Sequence, residues 1–249
     1  MAVNLRKIII MSLLNKIINR IINHYSILRD FKGYHRRYFI SRDRFGYVAP
    51  NAMIAQPFRV ESPQSVFIEE NTRIRIGINI INAPTEKVII KKYTAIGPGT
   101  SIIPGNHTST VGVPHFLLGL AHINDKSKDI IVEEDCWVGT NVTLLAGAHL
   151  GRGCVVASGC IVSKPVPPYA VVVGTPQKII AKKFDIDDII EHEKVLYKHE
   201  ERMTREELEA LFAEHFVDKK TFGTNKPLTE EELQRIKETK EWTQFVEPF

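Results

Sequence analysis

Residues 132–162 read VEEDCWVGTNVTLLAGAHLGRGCVVASGCIV, and a large aliphatic side chain returns there at every sixth position: Val132, Val138, Leu144, Leu150, Val156 and Val162. Four residues after each of the first five comes a small or slim one, in turn Cys136, Val142, Ala148, Cys154 and Cys160. Gly139, Gly151 and Ala157 directly follow an aliphatic. A step of six fits neither the period of about 3.6 of a helix nor the period of about 2 of a lone strand. It fits a triangular solenoid, an all-β fold in which each face of a prism takes one hexapeptide and three hexapeptides close a coil. The aliphatic then points inward, and the small residue sits where the chain turns a corner.

The wider run DCWVGTNVTLLAGAHLGRGCVVASGCIVSKPVPPYAVVVGTPQKII, residues 135–180, resembles the core of the hexapeptide-repeat, left-handed β-helix acyltransferases. Within them it is most similar to the maltose, galactoside and polysaccharide O-acetyltransferases. Three elements carry the resemblance in combination: Trp137-Val138-Gly139-Thr140-Asn141, Val162-Ser163-Lys164-Pro165-Val166-Pro167-Pro168 and Gly174-Thr175-Pro176-Gln177-Lys178. The left hand of the coil is implied by the resemblance. Periodicity alone does not give it, and most parallel crossovers are right-handed.

Upstream the same period continues with interruptions. Loose hexads are headed by Val48, Ile54 and Val60; a two-residue slip precedes Ile68, Ile74 and Ile80; a longer bulge precedes Ile90, Ile96 and Ile102. With the six clean hexads this predicts a parallel β-helix of roughly five coils over residues 48–183, at three hexads per coil. Between Ile102 and Val132 the chain spends 24 residues beyond one repeat. Residues 107–129 therefore read as a loop extruded from a prism corner, and loops of this length are usually functional or disordered. Phe116, Leu117, Leu118 and Leu120 give it apolar content suited to packing against a neighbouring subunit.

Residues 1–47 form a separate arm and connector. The stretch 1–29 has no acidic residue, and Leu14, Ile17, Ile18, Ile21, Ile22, Tyr25 and Leu28 recur at helical spacing with Lys16 and Arg20 among them. This predicts a basic amphipathic helix. Lys7, Lys16 and Arg20 break the apolar run below the ~18 residues needed to span a bilayer, and a secretory signal peptide fits poorly. Two roles stay open for the helix: packing on the prism or a neighbouring subunit, or docking on an anionic membrane surface. Residues 32–46, KGYHRRYFISRDRFG, cross from helix to prism. From Phe184 the six-fold period is gone and residues 184–249 read as a helical extension. Thr204 with Glu207 and Thr229 with Glu232 are capping boxes that mark helix starts, and a third helix begins near Asp187. Open ends of such a stack need caps, and the two flanking helical segments are candidates.

The charge is unevenly placed. The net charge is +4, yet residues 1–44 carry ten Lys/Arg against Asp30 and Asp43, leaving the rest of the chain net acidic. The prism thus lacks the footprint of a nucleic-acid binder. The three cysteines, Cys136, Cys154 and Cys160, all occupy the small corner phase, as interior thiols of a protein in a reducing compartment. A cytoplasmic location is expected, with peripheral contact to the membrane's inner face if the arm docks there.

The resemblance implies chemistry at named positions. His107 stands in an Asn106-His107 element where the chain leaves the prism, and there the family places its catalytic base. His115 and His122 in the same loop are competitors; His149, on a prism face, reads as structural. For acetyl-CoA the resemblance implies Trp137, Gly139 and Thr140 at the thioester end, Ala157 and Ser158 along the pantetheine groove, and Lys164, Thr175, Pro176 and Lys178 near the nucleotide end. The expected protein is a homotrimer transferring acetyl from acetyl-CoA to a carbohydrate hydroxyl in polysaccharide biosynthesis, by direct attack with His107 as base and no metal. The partner of that histidine is not identified. Alternatives are an N-acyltransferase acting on a nucleotide-linked amino sugar, a non-catalytic β-helical scaffold, and a metal enzyme of the γ-carbonic-anhydrase kind. The last needs three converging histidines, for which His107, His115 and His122 lack the expected spacing.

Overall fold

The computed structural model describes residues 2–242. Residues 243–249 of the expected C-terminal extension lie outside the described residues, as does the side chain of Lys7. The chain divides into two compact units, Met1–Ile40 and Ser41–Phe249.

The first unit is one helix, α1 (Ala2–Tyr38). The segment has no proline, and its first glycine is Gly33. His35, Arg36 and Arg37 occupy its last turn, where positive side chains meet the negative end of the helix dipole. The side chains of Tyr34 and Tyr38 lie with ring centroids 4.7 Å apart, one turn from each other. No helix among the described residues is long and apolar enough to cross a membrane.

In the second unit the chain visits three sheets in strict rotation. Tyr47–Val48 opens the first sheet, Met53–Ile54 the second and Arg59–Val60 the third, and every third strand thereafter joins the same sheet. Fifteen strands are laid down this way, five per sheet, all parallel to their neighbours. In the regular part the register steps by eighteen residues, three hexapeptides: Val132 pairs with Leu150, Val138 with Val156, and Leu144 with Val162. All six are buried and stack on one another as the apolar interior. Earlier coils absorb extra residues without losing the stack, so Ile68 pairs with Ile90 and Ile90 with Val132 across the long loop.

The corners show a second six-residue beat. Asp135, Asn141, Gly147, Gly153 and Gly159 all take positive φ, between 54° and 79°. Glycine, asparagine and aspartate tolerate this left-handed conformation best, so the sharp turn out of each strand falls to them. The small residue next in sequence then tucks inside: Cys136, Cys154 and Cys160 are buried, and all three thiols are free. Burial pushes the Cys136 and Cys160 thiols up.

The second sheet is longer than the others. Ala170–Val173 continues it, Lys178–Lys182 turns back antiparallel, and Lys220–Thr221 adds a last strand parallel to that one. The C-terminal extension is therefore not wholly helical: it contributes a strand that covers the sheet's edge. Its helices are α3 (Ile186–Leu196) and α4 (Arg205–His215), which pack on Tyr169 through Ile189 and Leu208, followed by α5 (Glu230–Trp242). Thr204 and Glu207 form the reciprocal capping box of α4. The long loop carries a short helix, α2 (His115–Ala121), where the sequence suggested only a loop. At the opposite end of the stack Phe45 meets Phe58 at 6.0 Å, and the Arg42 guanidinium donates to Pro50 O at 2.9 Å.

Candidate active site

The long loop leaves the third sheet after Ile103 and re-enters the first at Ile130. Its two legs are zipped at the base, where Lys128 N donates to Pro104 O and Lys126 N to Asn106 O, both at 3.1 Å. His107 comes directly after this zipped base, so its position is tied to the prism edge although it lies in a loop. Beyond it α2 reverses the chain. The helix ends at His122, whose φ of 52° is a left-handed cap, and His122 N donates to Leu118 O at 3.0 Å. Leu118 is fully buried and anchors the excursion, whereas Phe116, Leu117 and Leu120 remain exposed.

This reversal brings together what sequence spacing kept apart. Asp125 Oδ1 accepts from His107 Nδ1 at 3.1 Å, and Oδ2 accepts from His122 Nδ1 at 2.9 Å. The imidazole centroids are 5.4 Å apart. The hydrogen bond from His122, and then that from His107, hold the Asp125 carboxyl below the usual carboxylate range. A carboxylate can only accept, so each imidazole donates through Nδ1 and presents a free Nε2, the tautomer a general base requires. Asp125 is thus the partner that the sequence could not name. His115 diverges and pairs through Nε2 with Ser109 Oγ at 3.0 Å. The three loop histidines lack a spacing that announces convergence, yet His107 and His122 converge on Asp125. Among the described residues these three offer ligand atoms within 4.8 Å of one another, close enough to share a divalent cation.

The expected coenzyme residues Gly139, Thr140, Ala157 and Ser158 fall on a different edge, between the second and third sheets, whereas Lys164 follows the third sheet. Trp137 lies in register between Ala95 and Val155 and faces outward, 65% exposed. At the corner that follows, the stack is tight: a Cβ on Gly97 would come within 2.6 Å of the Gly139 carbonyl, and one on Gly139 within 2.6 Å of Ser158 N. Only side-chain-free backbone at Gly97 and Gly139 lets the coils approach this closely. Thr140 N donates to Ser158 Oγ at 3.1 Å, which joins the two predicted residues across one coil. Ala157 N donates to Val172 O at 2.9 Å and Ile161 N to Gly174 O at 3.3 Å, extending the line toward Thr175 and Pro176.

Gln177 completes this end, and the sequence reading passed over it. Its Oε1 accepts from Ser163 N at 2.8 Å and from Lys164 N at 3.2 Å, and its Nε2 donates to Lys164 O at 3.0 Å. It pins the Lys164 segment against the Thr175–Lys178 turn. Its position inside the Gly-x-Pro-x-Lys element, with four polar valences to satisfy, was the available signal. Lys164, Thr175, Pro176 and Lys178 are exposed. A separate cleft of about 580 Å³ lies between the last coils and the C-terminal helices, lined by Glu133, His149, Arg152, Pro168, Met203 and His215 among others. None of the predicted site residues borders it. His149 donates there to Glu133 at 2.8 Å, as befits a structural residue.

Residues 129–164 match the family described as bacterial transferase hexapeptide (six repeats). The chain is 30% identical over 116 residues to a chloramphenicol acetyltransferase of Morganella morganii, across 42% of this chain and 55% of that relative, so it spans about half of the relative's length. A hexapeptide-repeat-containing acetyltransferase of Vibrio cholerae O1 biovar eltor, solved in complex with acetyl coenzyme A, superposes with a TM-score of 0.52 at 27% identity, over 58% of this chain and 74% of that one. A galactoside acetyltransferase in complex with coenzyme A superposes with a TM-score of 0.50 at 22% identity, over 59% and 70%, a likeness of fold. The chain shares the hexapeptide repeat of these acetyltransferases.

Proposed function

We infer that this chain, built on the bacterial transferase hexapeptide repeat, is an acetyl-CoA-dependent O-acetyltransferase whose acceptor is a carbohydrate hydroxyl. The observation that carries the reading is His107 beside the prism edge, held by Asp125 through Nδ1 with Nε2 free. The acetyl-CoA complex of the Vibrio cholerae structure supports the donor. The motif resemblance of residues 135–180 supports a sugar acceptor, a left-handed solenoid and the coenzyme positions named above.

A sugar hydroxyl is too weak an acid to ionise near neutrality, so proton removal must accompany attack. His107 Nε2 takes the hydroxyl proton while the oxygen attacks the thioester carbonyl carbon. The Asp125 carboxylate steadies the imidazolium that forms. Collapse of the tetrahedral intermediate expels the coenzyme thiolate, which takes the proton back from His107. No acyl-enzyme is required, in keeping with three cysteines buried in the interior. His122 shares the same carboxylate and is the rival base. His107 is preferred because the zipped base of the loop ties it to the prism.

The base follows the third sheet, whereas the corner that holds Gly139, Thr140, Ala157 and Ser158 precedes it. One chain alone therefore places the two functions on different edges, which supports sites shared between neighbouring subunits of a homotrimer. The apolar side chains left exposed on α2 are suited to covering a neighbour.

Release of free thiol from acetyl-CoA, measured with activated sugars, glycans, amino-sugar nucleotides and chloramphenicol as acceptors, tests the reading and ranks the acceptor classes. His107→Ala should cut turnover roughly 10²–10⁴-fold with acetyl-CoA affinity little changed, and His115→Ala should be near normal. Retained turnover in His107→Ala with loss in His122→Ala would move the base to the rival. For the shared site, His107→Ala is co-expressed with Ser158→Trp, which blocks the expected pantetheine path. Random assembly should restore about a quarter of all sites, one of the three in each mixed trimer; an active monomer in light scattering would exclude shared sites.

A further inference from the structure

The helix α1 presents an apolar face that nothing within its own unit covers. Leu14, Ile17, Ile18, Ile21, Tyr25 and Leu28 are each between 44% and 69% exposed. At about 100° per residue they fall within an arc of roughly 100° on the helix surface. Leu13, Ile22 and Phe31, also exposed, widen that arc to about half the circumference. Asn15, Asn19 and Ser26 occupy the opposite arc; Lys16 and Arg20 flank the exposed Ile27 beside one border of the apolar face, and Arg29 stands at the other. The contrast with the second unit is sharp, for there the aliphatic that heads each regular hexad is buried.

We propose that α1 lies flat on an anionic lipid surface, its apolar face in the acyl boundary and its basic residues among the headgroups. Three observations select this occupant. First, the helix is not long and apolar enough to cross a bilayer, so its apolar side chains are suited to partial immersion. Second, residues 2–38 carry Arg6, Lys7, Lys16, Arg20, Arg29, Lys32, Arg36 and Arg37 against Asp30 alone. That is the sign an anionic headgroup layer attracts. Third, a second copy of α1 would set like charges beside like charges: no carboxylate borders the apolar face between residues 13 and 28 to pair with Lys16 or Arg20. A half-circumference apolar arc is also wider than the two-position seam of a coiled coil. The asparagines and the serine on the far arc then face water. The inference does not rest on the acyltransfer reading, since neither His107 nor the expected coenzyme residues enter it.

The test is co-sedimentation of the full-length protein with vesicles. Phosphatidylcholine vesicles containing phosphatidylglycerol should pull it down, pure phosphatidylcholine vesicles should do so weakly, and added salt should release it. Lys16→Gln with Arg20→Gln should weaken binding roughly five-fold per charge removed. Ile18→Glu with Ile21→Glu should abolish binding to the mixed vesicles. Both pairs are surface changes, so unfolding temperature and the circular dichroism spectrum should stay at wild-type values, which separates failed docking from failed folding. Three results would each overturn the proposal. One is wild-type protein that stays in the supernatant with anionic vesicles. Another is equal pelleting by all variants. The third is an Ile18→Glu/Ile21→Glu protein that loses mass in light scattering while binding vesicles as before, which would assign the face to a second copy.

Discussion

Between Val132 and Val162 the interior is filled by aliphatic side chains that stack on their own equivalents eighteen residues away, whereas the C-terminal cap buries a carboxylate and a phenol. In the cap Glu193 is 1% exposed and accepts from Tyr169 Oη at 2.6 Å, Met203 N at 2.6 Å and Arg152 Nη1 at 3.1 Å. Burial, and then the hydrogen bond to Glu193, push the Tyr169 phenol far up, so it stays a donor. Arg152 also lies over the Tyr197 ring, 4.4 Å from its centroid. The difference follows from what each region must do. A repeating coil needs only size and polarity in phase, because any coil fits on any other. A cap must end the stack at one place, and a buried carboxylate that accepts from three donors permits a single docking of α3 and α4.

Breaking the cap should therefore cost more than thinning the repeat. Glu193→Ala removes the shared acceptor from Arg152, Tyr169 and the Met203 amide. A loss of about 4 kcal/mol is expected in urea unfolding, on the scale of a broken buried pair, with the helices of the cap detaching first by hydrogen exchange. Leu144→Ala opens a cavity in the stack, where Leu144 is fully buried and pairs with Ile102 and Val162. The same measurement should show about 3 kcal/mol, spread over neighbouring coils. If Leu144→Ala proves the costlier of the two, the cap is a loose appendage and the contrast fails.

Smaller effects sharpen the comparison where cap and repeat meet. Asp135 is a corner residue whose carboxylate accepts from Lys183 Nζ at 2.6 Å and His192 Nε2 at 3.0 Å. Burial pushes its carboxyl up, but the His192 hydrogen bond and the Lys183 charge outweigh that and hold it below its ordinary value of 3.8. A carboxyl depressed in the folded state contributes stability fully above that ordinary value and loses it as pH falls through the lowered one. Asp135→Asn keeps the left-handed corner, so its deficit in unfolding free energy should be constant near neutrality and shrink in acid below about 3.8. A deficit that persists in acid would assign Asp135 to the turn alone. Thr204→Ala, which deletes the side-chain acceptor for Glu207 N, should cost about 1 kcal/mol and fray only the start of α4.

Some of the cap was visible in advance and some was not. Thr204 with Glu207 announced a helix start because a capping box is local, closed within four residues. Glu193 announced nothing: an acidic residue among Glu191, His192 and Lys194 reads as a solvated face, and its burial depends on Tyr169 and Arg152 in another part of the chain. The same holds for the candidate site. His107 was recognisable from its motif and its place at the end of a hexad. Asp125 was not, because its meeting with His107 and His122 depends on how α2 reverses a loop that has no period. The positive-φ beat from Asp135 to Gly159 was written in the sequence as Asp, Asn and Gly, but beside the aliphatic and small-residue phases it went unread.

The sequence by itself determined the rotation through three sheets, the eighteen-residue register and the burial of the six aliphatics that head the hexads from Val132 to Val162. Each of these is set by a contact between a residue and its own repeat, so a period in the chain is already a contact in space. Tertiary structure alone decided which imidazoles share Asp125, that Gln177 holds the Lys164 turn, and that Glu193 is buried under the cap. Those contacts join residues of unlike environment across unrepeated loops, where no spacing along the chain encodes a distance, and only the folded packing brings donor to acceptor.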